Sequence, residues 1–182
     1  MKMEERDFSY EIRIPKERIA VLIGRNGETK KQVEADTSTK IKIDSDEGDI
    51  VITGDDAIGM YNAREVIKAI GRGFNPETAR LLIKGDYVFE TVELKDYTRT
   101  KNDLIRLRGR VIGEEGKSRR IIEELTETYI SVYGKTISII GEVENASTAR
   151  RAIEGILRGS AHGKVYNMLE RARREIKMRR MM

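Results

Sequence analysis

The sequence says similar things twice, and that internal repeat limits the folds open to its 182 residues more than any other feature. Val21-Leu22-Ile23-Gly24-Arg25-Asn26-Gly27 recurs 89 positions later as Arg110-Val111-Ile112-Gly113-Glu114-Glu115-Gly116, with the glycines at the same spacing. Ile50-Val51-Ile52-Thr53-Gly54 answers to Ile137-Ser138-Ile139-Ile140-Gly141, and the stretch from Ala63 to Gly73 answers to Ala149 to Gly159. The offset shrinks to 87 and then 86, as small differences in loop length between two copies of one fold require. A chain of this length can hold two small domains, each with a core of its own.

Periodicity gives the element order within a copy. In the first, Phe8 to Ile14 alternates apolar and polar residues and reads as a half-buried strand that Pro15 stops. Helices are expected over 16–23 and 28–35, either side of the glycine loop, then strands over 40–43 and 50–53 around an acidic turn, Asp44 to Asp49. A helix over 55–70 would present Ile58, Val66, Ile67 and Ile70 to a core. The second copy predicts the same β-α-α-β-β-α order: a strand over 87–94, helices over 102–111 and 117–125, strands over 129–132 and 136–140, and a helix over 143–157. The expected class is α+β, with a first domain at 1–75, a helical linker at 76–85 opened by Pro76, a second domain at 86–160, and a basic helix at 161–182 whose stripe is Val165, Leu169, Ala172 and Ile176.

Two glycines separated by two residues between consecutive helices remove the side chains that would hold a ligand's backbone away. The second helix begins there with unpaired N–H groups and a partial positive charge, so phosphates can lie against it. Arg25, Asn26, Lys30 and Lys31 surround Gly24 and Gly27, and Ile41, Lys42 and Ile43 stand on the strand behind. Together with Ile23 and Val33, the isoleucines would wall a groove for about four unstacked bases. In the second copy the matching set is Arg110, Gly113, Glu114, Glu115, Gly116, Lys117, Arg119 and Arg120. Glu114 and Glu115 repel a phosphate where the first copy attracts one, so this copy reads either as a second RNA contact or as a packing or protein-binding surface.

Gly24 to Gly27 after an aliphatic pair, followed by Lys30-Lys31-Gln32-Val33 and Lys40-Ile41-Lys42-Ile43, resembles the core of a type I KH domain, and the motif stands here twice. The resemblance implies two such domains, each a three-stranded sheet packed against three helices. Nearly the whole chain resembles the archaeal two-KH proteins related to the Pno/Dim/Krr ribosome-assembly factors. That likeness implies binding of single-stranded RNA, near the 3′ end of small-subunit ribosomal RNA, with a Nob-type endonuclease and the alpha subunit of the initiator-tRNA-carrying initiation factor as partners.

Other functions find less support. Gly-Glu-Glu-Gly-Lys-Ser at 113–118 invites a nucleotide-binding reading, but Val111 stands where a phosphate loop needs its first glycine. Asp44, Asp46, Glu47 and Asp49 read as a solvated turn rather than a metal site, and His162, the lone histidine in a chain without cysteine, has no partner for a zinc set or nucleophilic pair and reads as a surface or capping residue. No enzyme activity, cofactor or metal is expected. Tyr61, Tyr129, Tyr133 and Tyr166 read as core or interface. No apolar run reaches membrane-spanning length and no signal peptide is visible, so a soluble cytoplasmic chain without membrane contact is expected. From Arg158 to Met182 there are eight Lys or Arg against two Glu, leaving 27 basic and 29 acidic residues before it. This tail reads equally as a polyanion contact or a solvated helix face. An adaptor of an RNA-decay complex and a protein scaffold that has lost RNA binding are the alternative functions.

Overall fold

The computed structural model describes residues 8–182, which form two compact units, Met1–Gly85 and Asp86–Met182. The first contains β1 (Phe8–Arg13), α1 (Lys16–Ile23), α2 (Glu28–Thr37), β2 (Lys40–Ile43), β3 (Asp49–Gly54), α3 (Ala57–Gly71) and the short α4 (Pro76–Ala79), which a 3-10 turn, Arg80–Ile83, extends. The second contains β4 (Tyr87–Glu93), α5 (Lys101–Ile112), α6 (Lys117–Thr126), β5 (Tyr129–Tyr133), β6 (Thr136–Glu142), α7 (Val143–Leu157) and α8 (His162–Met181). The sheets are antiparallel in the orders β1-β3-β2 and β4-β6-β5, so in each unit the last strand in sequence takes the centre. This is the α+β architecture the repeat predicts.

The central strand explains the packing. Ile50 and Ile52 on β3 are fully buried, as are Leu22 of α1, Val33 of α2 and Val66, Ile67 and Ile70 of α3, the helix that packs on this strand. Ile137 and Ile139 on β6 do the same among Leu107, Val111, Ile122, Ile130 and Ile153. Each such side chain contributes about 1.5–3 kcal/mol on leaving water. The turn after the second helix is duplicated in detail. Thr37 Oγ1 donates to the Val33 carbonyl at 2.6 Å and lies 2.8 Å from Thr39 Oγ1, and Thr126 repeats this with Ile122 and Thr128 at 2.6 and 2.8 Å. Glu34 Oε1 accepts from the Ile41 N–H at 2.7 Å, and Glu123 Oε1 from the Ile130 N–H at 2.7 Å, which fixes strand to helix in both units.

Four expectations need correction. Ile58 does not face the core and is 71% exposed, because Asp56 caps α3 at the N–H groups of Ile58 and Gly59, and the buried stripe runs instead through Gly59, Met60, Ala63, Val66, Ile67 and Ile70. β1 forms but is not half-buried: as an edge strand it leaves Phe8 and Tyr10 exposed and buries only Ile12 in part. Of the tyrosines expected in core or interface, Tyr61 and Tyr129 are exposed, which removes the core reading for those two. The segment expected as a linker, 76–85, packs into the first unit through Ala79 and Leu82, with Asn75 accepting from the Thr78 N–H at 2.8 Å as its cap. On α8, Val165 and Leu169 are buried, and Ala172 and Ile176 are half-buried on the same stripe.

Candidate nucleic-acid interface

The two glycine loops are the same structure built from different residues. Gly24 has φ 72, ψ 177 and Gly113 has φ 75, ψ 173. Asn26 has φ 54, ψ 25 and Glu115 has φ 47, ψ 29, while Gly27 and Gly116 both have φ 77, ψ 12. The two glycines of each loop serve different needs. A Cβ on Gly24 would lie 2.2 Å from Thr29 Oγ1, and one on Gly113 would lie 2.6 Å from the Ser118 nitrogen, so these positions are closed by the loop's own packing. A Cβ on Gly27 would meet nothing nearer than Lys31 Cε at 3.9 Å, and one on Gly116 nothing within 4 Å. The space in front of the second glycine is empty, and neither α2 nor α6 has a side-chain cap on its first N–H groups. The Gly27 and Glu28 N–H groups turn back to the Gly24 and Arg25 carbonyls, as those of Gly116 and Lys117 do to Gly113 and Glu114, so what an oxyanion can approach there is the positive end of the helix and the N–H groups that follow.

The groove behind the first loop is narrower than the sequence suggested. Ile41 is 1% exposed and Val33 fully buried, so both belong to the core, and the apolar wall consists of the half-buried Ile23 and Ile43. Ile112 and Val132 take those places in the second unit. Arg25, Asn26, Lys31 and Lys42 are exposed, while Lys30 is drawn to Glu34 at 3.8 Å.

A model of the eukaryotic-type (type I) KH domain matches residues 88–174, and a general KH-domain model matches residues 9–69. A KH domain-containing protein of Methanocaldococcus jannaschii is 48% identical over 179 residues, covering 96% of this chain and 78% of that protein. This chain is a tandem KH-domain protein. Solved structures share its fold. Dim2p from Pyrococcus horikoshii superposes with a TM-score of 0.85 at 46% identity, covering 90% of this chain and 99% of that one. The Pyrococcus horikoshii complex of the initiation factor 2 alpha subunit, Dim2p and ribosomal RNA contains a chain that superposes at 0.88 with 44% identity, covering 94% and 97%. The pre-rRNA-processing protein PNO1 of Chaetomium thermophilum is 33% identical over 108 residues, which are 58% of this chain and 42% of that longer protein.

Within the second KH domain the loop carries Glu114 and Glu115, both exposed, and Lys117 and Arg120 are the exposed cations on the helix beside them. Arg119 is turned to Glu123 at 3.7 Å. Glu115 sits in the left-handed region that glycine and asparagine tolerate best, at a cost of about 1 kcal/mol. Arg110, expected beside the phosphates, points elsewhere: Nη1 donates to the Ile156 carbonyl and Nη2 to the Ser160 carbonyl, both at 2.7 Å. It closes the C-terminus of α7. Arg18 performs the equivalent task in the first KH domain, donating to the Ile70 and Phe74 carbonyls at 2.8 Å from a position that does not match in the repeat. His162 Nε2–H donates to the Arg110 carbonyl at 2.7 Å, a capping contact at the end of α5. Glu123, half-buried, has its carboxyl pushed up from the usual glutamate value by burial, against the opposing pull of the Ile130 N–H and Arg119. Sequence reasoning missed Glu34, Glu123 and Arg18. Their duplicated or convergent contacts carry no local motif, although the Glu pair does recur at the repeat offset of 89.

Among the described residues no group of three or more His, Cys, Asp or Glu is placed to hold a metal ion, and no helix is long and apolar enough to cross a membrane.

Proposed function

We propose that this chain binds single-stranded small-subunit ribosomal RNA near its 3′ end during ribosome assembly, one short stretch in each KH groove, and that it acts in the cytoplasm by binding and not by catalysis. The observation that carries this reading is the pair of open loops. At Gly27 and Gly116 a strand of ribose-phosphate can come within hydrogen-bonding distance of uncapped helix donors, because no atom of the protein fills that space. Arg25, Lys31 and Lys42 in the first domain and Lys117 and Arg120 in the second neutralise phosphates, while Ile23 and Ile43, or Ile112 and Val132, offer an apolar wall to about four bases. Gly24 and Gly113 shape the loops without touching the ligand. The related Dim2p in a complex with ribosomal RNA and an initiation-factor alpha subunit, and the relation to proteins named for pre-rRNA processing, support this RNA and that partner. A Nob-type endonuclease is the complementary partner, supplying the cleavage chemistry that a KH groove does not.

Crosslinking in cells followed by sequencing of the bound RNA tests the reading. Enrichment of the 3′ region of small-subunit rRNA is expected, and RNA incubated with the pure chain and a divalent metal should stay intact. Recovery of unrelated RNA, or cleavage by the chain alone, refutes it.

A further inference from the structure

The basic C-terminal helix packs on α6 and α7 of its own unit, and its charges are not evenly spent. Four cations of α7 and α8 are held by acids. Arg150 pairs with Glu90 at 2.9 Å and with Glu154 at 3.0 Å, Arg158 with Glu154 at 3.6 Å, Arg179 with Glu144 at 2.6 Å, and Arg180 with Glu142. Arg151 of α7 and Lys164 and Arg171 of α8 are exposed and form no ion pair among the described residues. These three line one open groove between the two helices, together with Asn167 and a single acid, Glu175. An exposed cation paired to an acid has little attraction left for an outside anion, whereas three unpaired ones around a shared groove add their fields.

The internal repeat sharpens the contrast. Arg151 corresponds to Glu65 in the first unit, where the helix that follows α3 and packs beside it is only the short α4 with its 3-10 turn, in place of the long basic α8. The first unit carries 15 Lys or Arg and 16 Asp or Glu, with Arg25 between its loop glycines; the second carries 20 and 15, yet Glu114 and Glu115 stand between its loop glycines. The second unit's surplus of positive charge therefore lies outside the loop itself, and Arg151, Lys164 and Arg171 are part of it.

We propose that the α7–α8 groove is a second RNA contact, gripping the phosphate backbone of a segment beyond the bases held in the KH grooves. The partner is a polyanion read by charge alone: Arg151, Lys164 and Arg171 supply point and forked donors, and the groove has no aromatic platform on which bases could stack. It lets the second domain hold RNA although Glu114 and Glu115 repel it at the loop. This inference rests on the RNA-binding reading above, and its test separates the two.

The measurement is the affinity of the full chain, by fluorescence anisotropy across a salt series, for two RNAs from the 3′ end of small-subunit rRNA: one of roughly six nucleotides, little more than the four bases a KH groove holds, and one of roughly thirty. The variant is the triple R151Q/K164Q/R171Q, whose sites are exposed and unpaired, with thermal unfolding as the check on its fold. For the longer RNA the triple variant should bind more weakly, with the slope of log affinity on log salt reduced by about 2, so that the wild-type advantage shrinks about sixteenfold between 50 and 200 mM salt. The short RNA should bind both proteins alike. Equal binding of the longer RNA to both proteins overturns the inference. So does an equal loss for both RNAs, which would make the three cations a diffuse field around the KH groove. A wild-type chain that binds neither RNA removes the RNA-binding reading itself and this inference with it, whereas binding of the short RNA alone leaves that reading standing and removes only the groove.

Discussion

Replacing Gly27 by Asp separates folding from binding, because the two glycines of a loop are constrained by different neighbours. At Gly27 the backbone is left-handed, φ 77 and ψ 12, a conformation that costs most L-residues about 1–2 kcal/mol and Asp less. The new side chain finds open space. It also stands at the N-cap of α2, where no side chain now caps the helix and a carboxylate in place of glycine contributes roughly a few tenths of a kcal/mol. The two effects oppose each other, and stability should stay within about 1 kcal/mol of wild type. Binding should not. A carboxylate about 4 Å from a phosphate costs about 1 kcal/mol in water and about 4 kcal/mol at an effective dielectric of 20, a loss between about fivefold and several hundredfold. Gly24→Ala should do the reverse. Its Cβ would sit 2.2 Å from Thr29 Oγ1 and 2.8 Å from the Thr29 nitrogen, on a backbone region that only glycine occupies, so a destabilisation of roughly 3 kcal/mol or more is expected. Thermal unfolding and RNA titration of both variants decide the matter. A folded Gly27→Asp protein with undiminished affinity refutes the idea that this loop is where phosphate lies, and a Gly24→Ala protein as stable as wild type refutes the separation of roles.

Glu115→Asn should raise stability by up to about 1 kcal/mol, since asparagine tolerates the left-handed backbone at φ 47, and it should tighten RNA binding by removing one negative charge; a lower melting temperature contradicts the strain. Arg110→Ala removes two hydrogen bonds to the carbonyls of Ile156 and Ser160 and should cost about 2–3 kcal/mol in chemical denaturation, whereas Arg120→Ala, on an exposed side chain, should change stability by less than about 0.5 kcal/mol and weaken RNA binding instead. Burial raises the Glu123 carboxyl above its unfolded value, so the fold favours the protonated form: its contribution to stability is present below the ordinary glutamate range and is lost as pH rises through the raised folded value. Glu123→Gln keeps an acceptor for the Ile130 N–H and should gain on wild type as pH climbs from about 4 upward; a stability difference that does not change with pH between 4 and 7 argues against the effect of burial.

The sequence by itself determined the element order, the α+β class, the helix limits at Lys16–Ile23 and Val143–Leu157, and the two glycine loops, because all of these are written in local spacing that the repeat states twice. Apolar periodicity and glycine placement depend on neighbours in the chain, and a neighbour is always legible. Only the tertiary structure decided which side chains were free. Arg110 lies one residue before the aliphatic pair of the second loop, yet its guanidinium is consumed 46 residues away at the Ile156 carbonyl. Ile41, two residues before a groove-wall isoleucine on the same strand, is 1% exposed and belongs to the core. Ile58 is exposed because the buried stripe of α3 starts one residue later. From Arg158 onward the cations read as one basic tail until folding brings Glu142 and Glu144 to Arg180 and Arg179, leaves Lys164 and Arg171 without an acid, and sets Arg151 of α7 beside those two. Charge is a property of the residue, but whether it remains available to a ligand depends on partners distant in sequence, and those meet only when the chain packs.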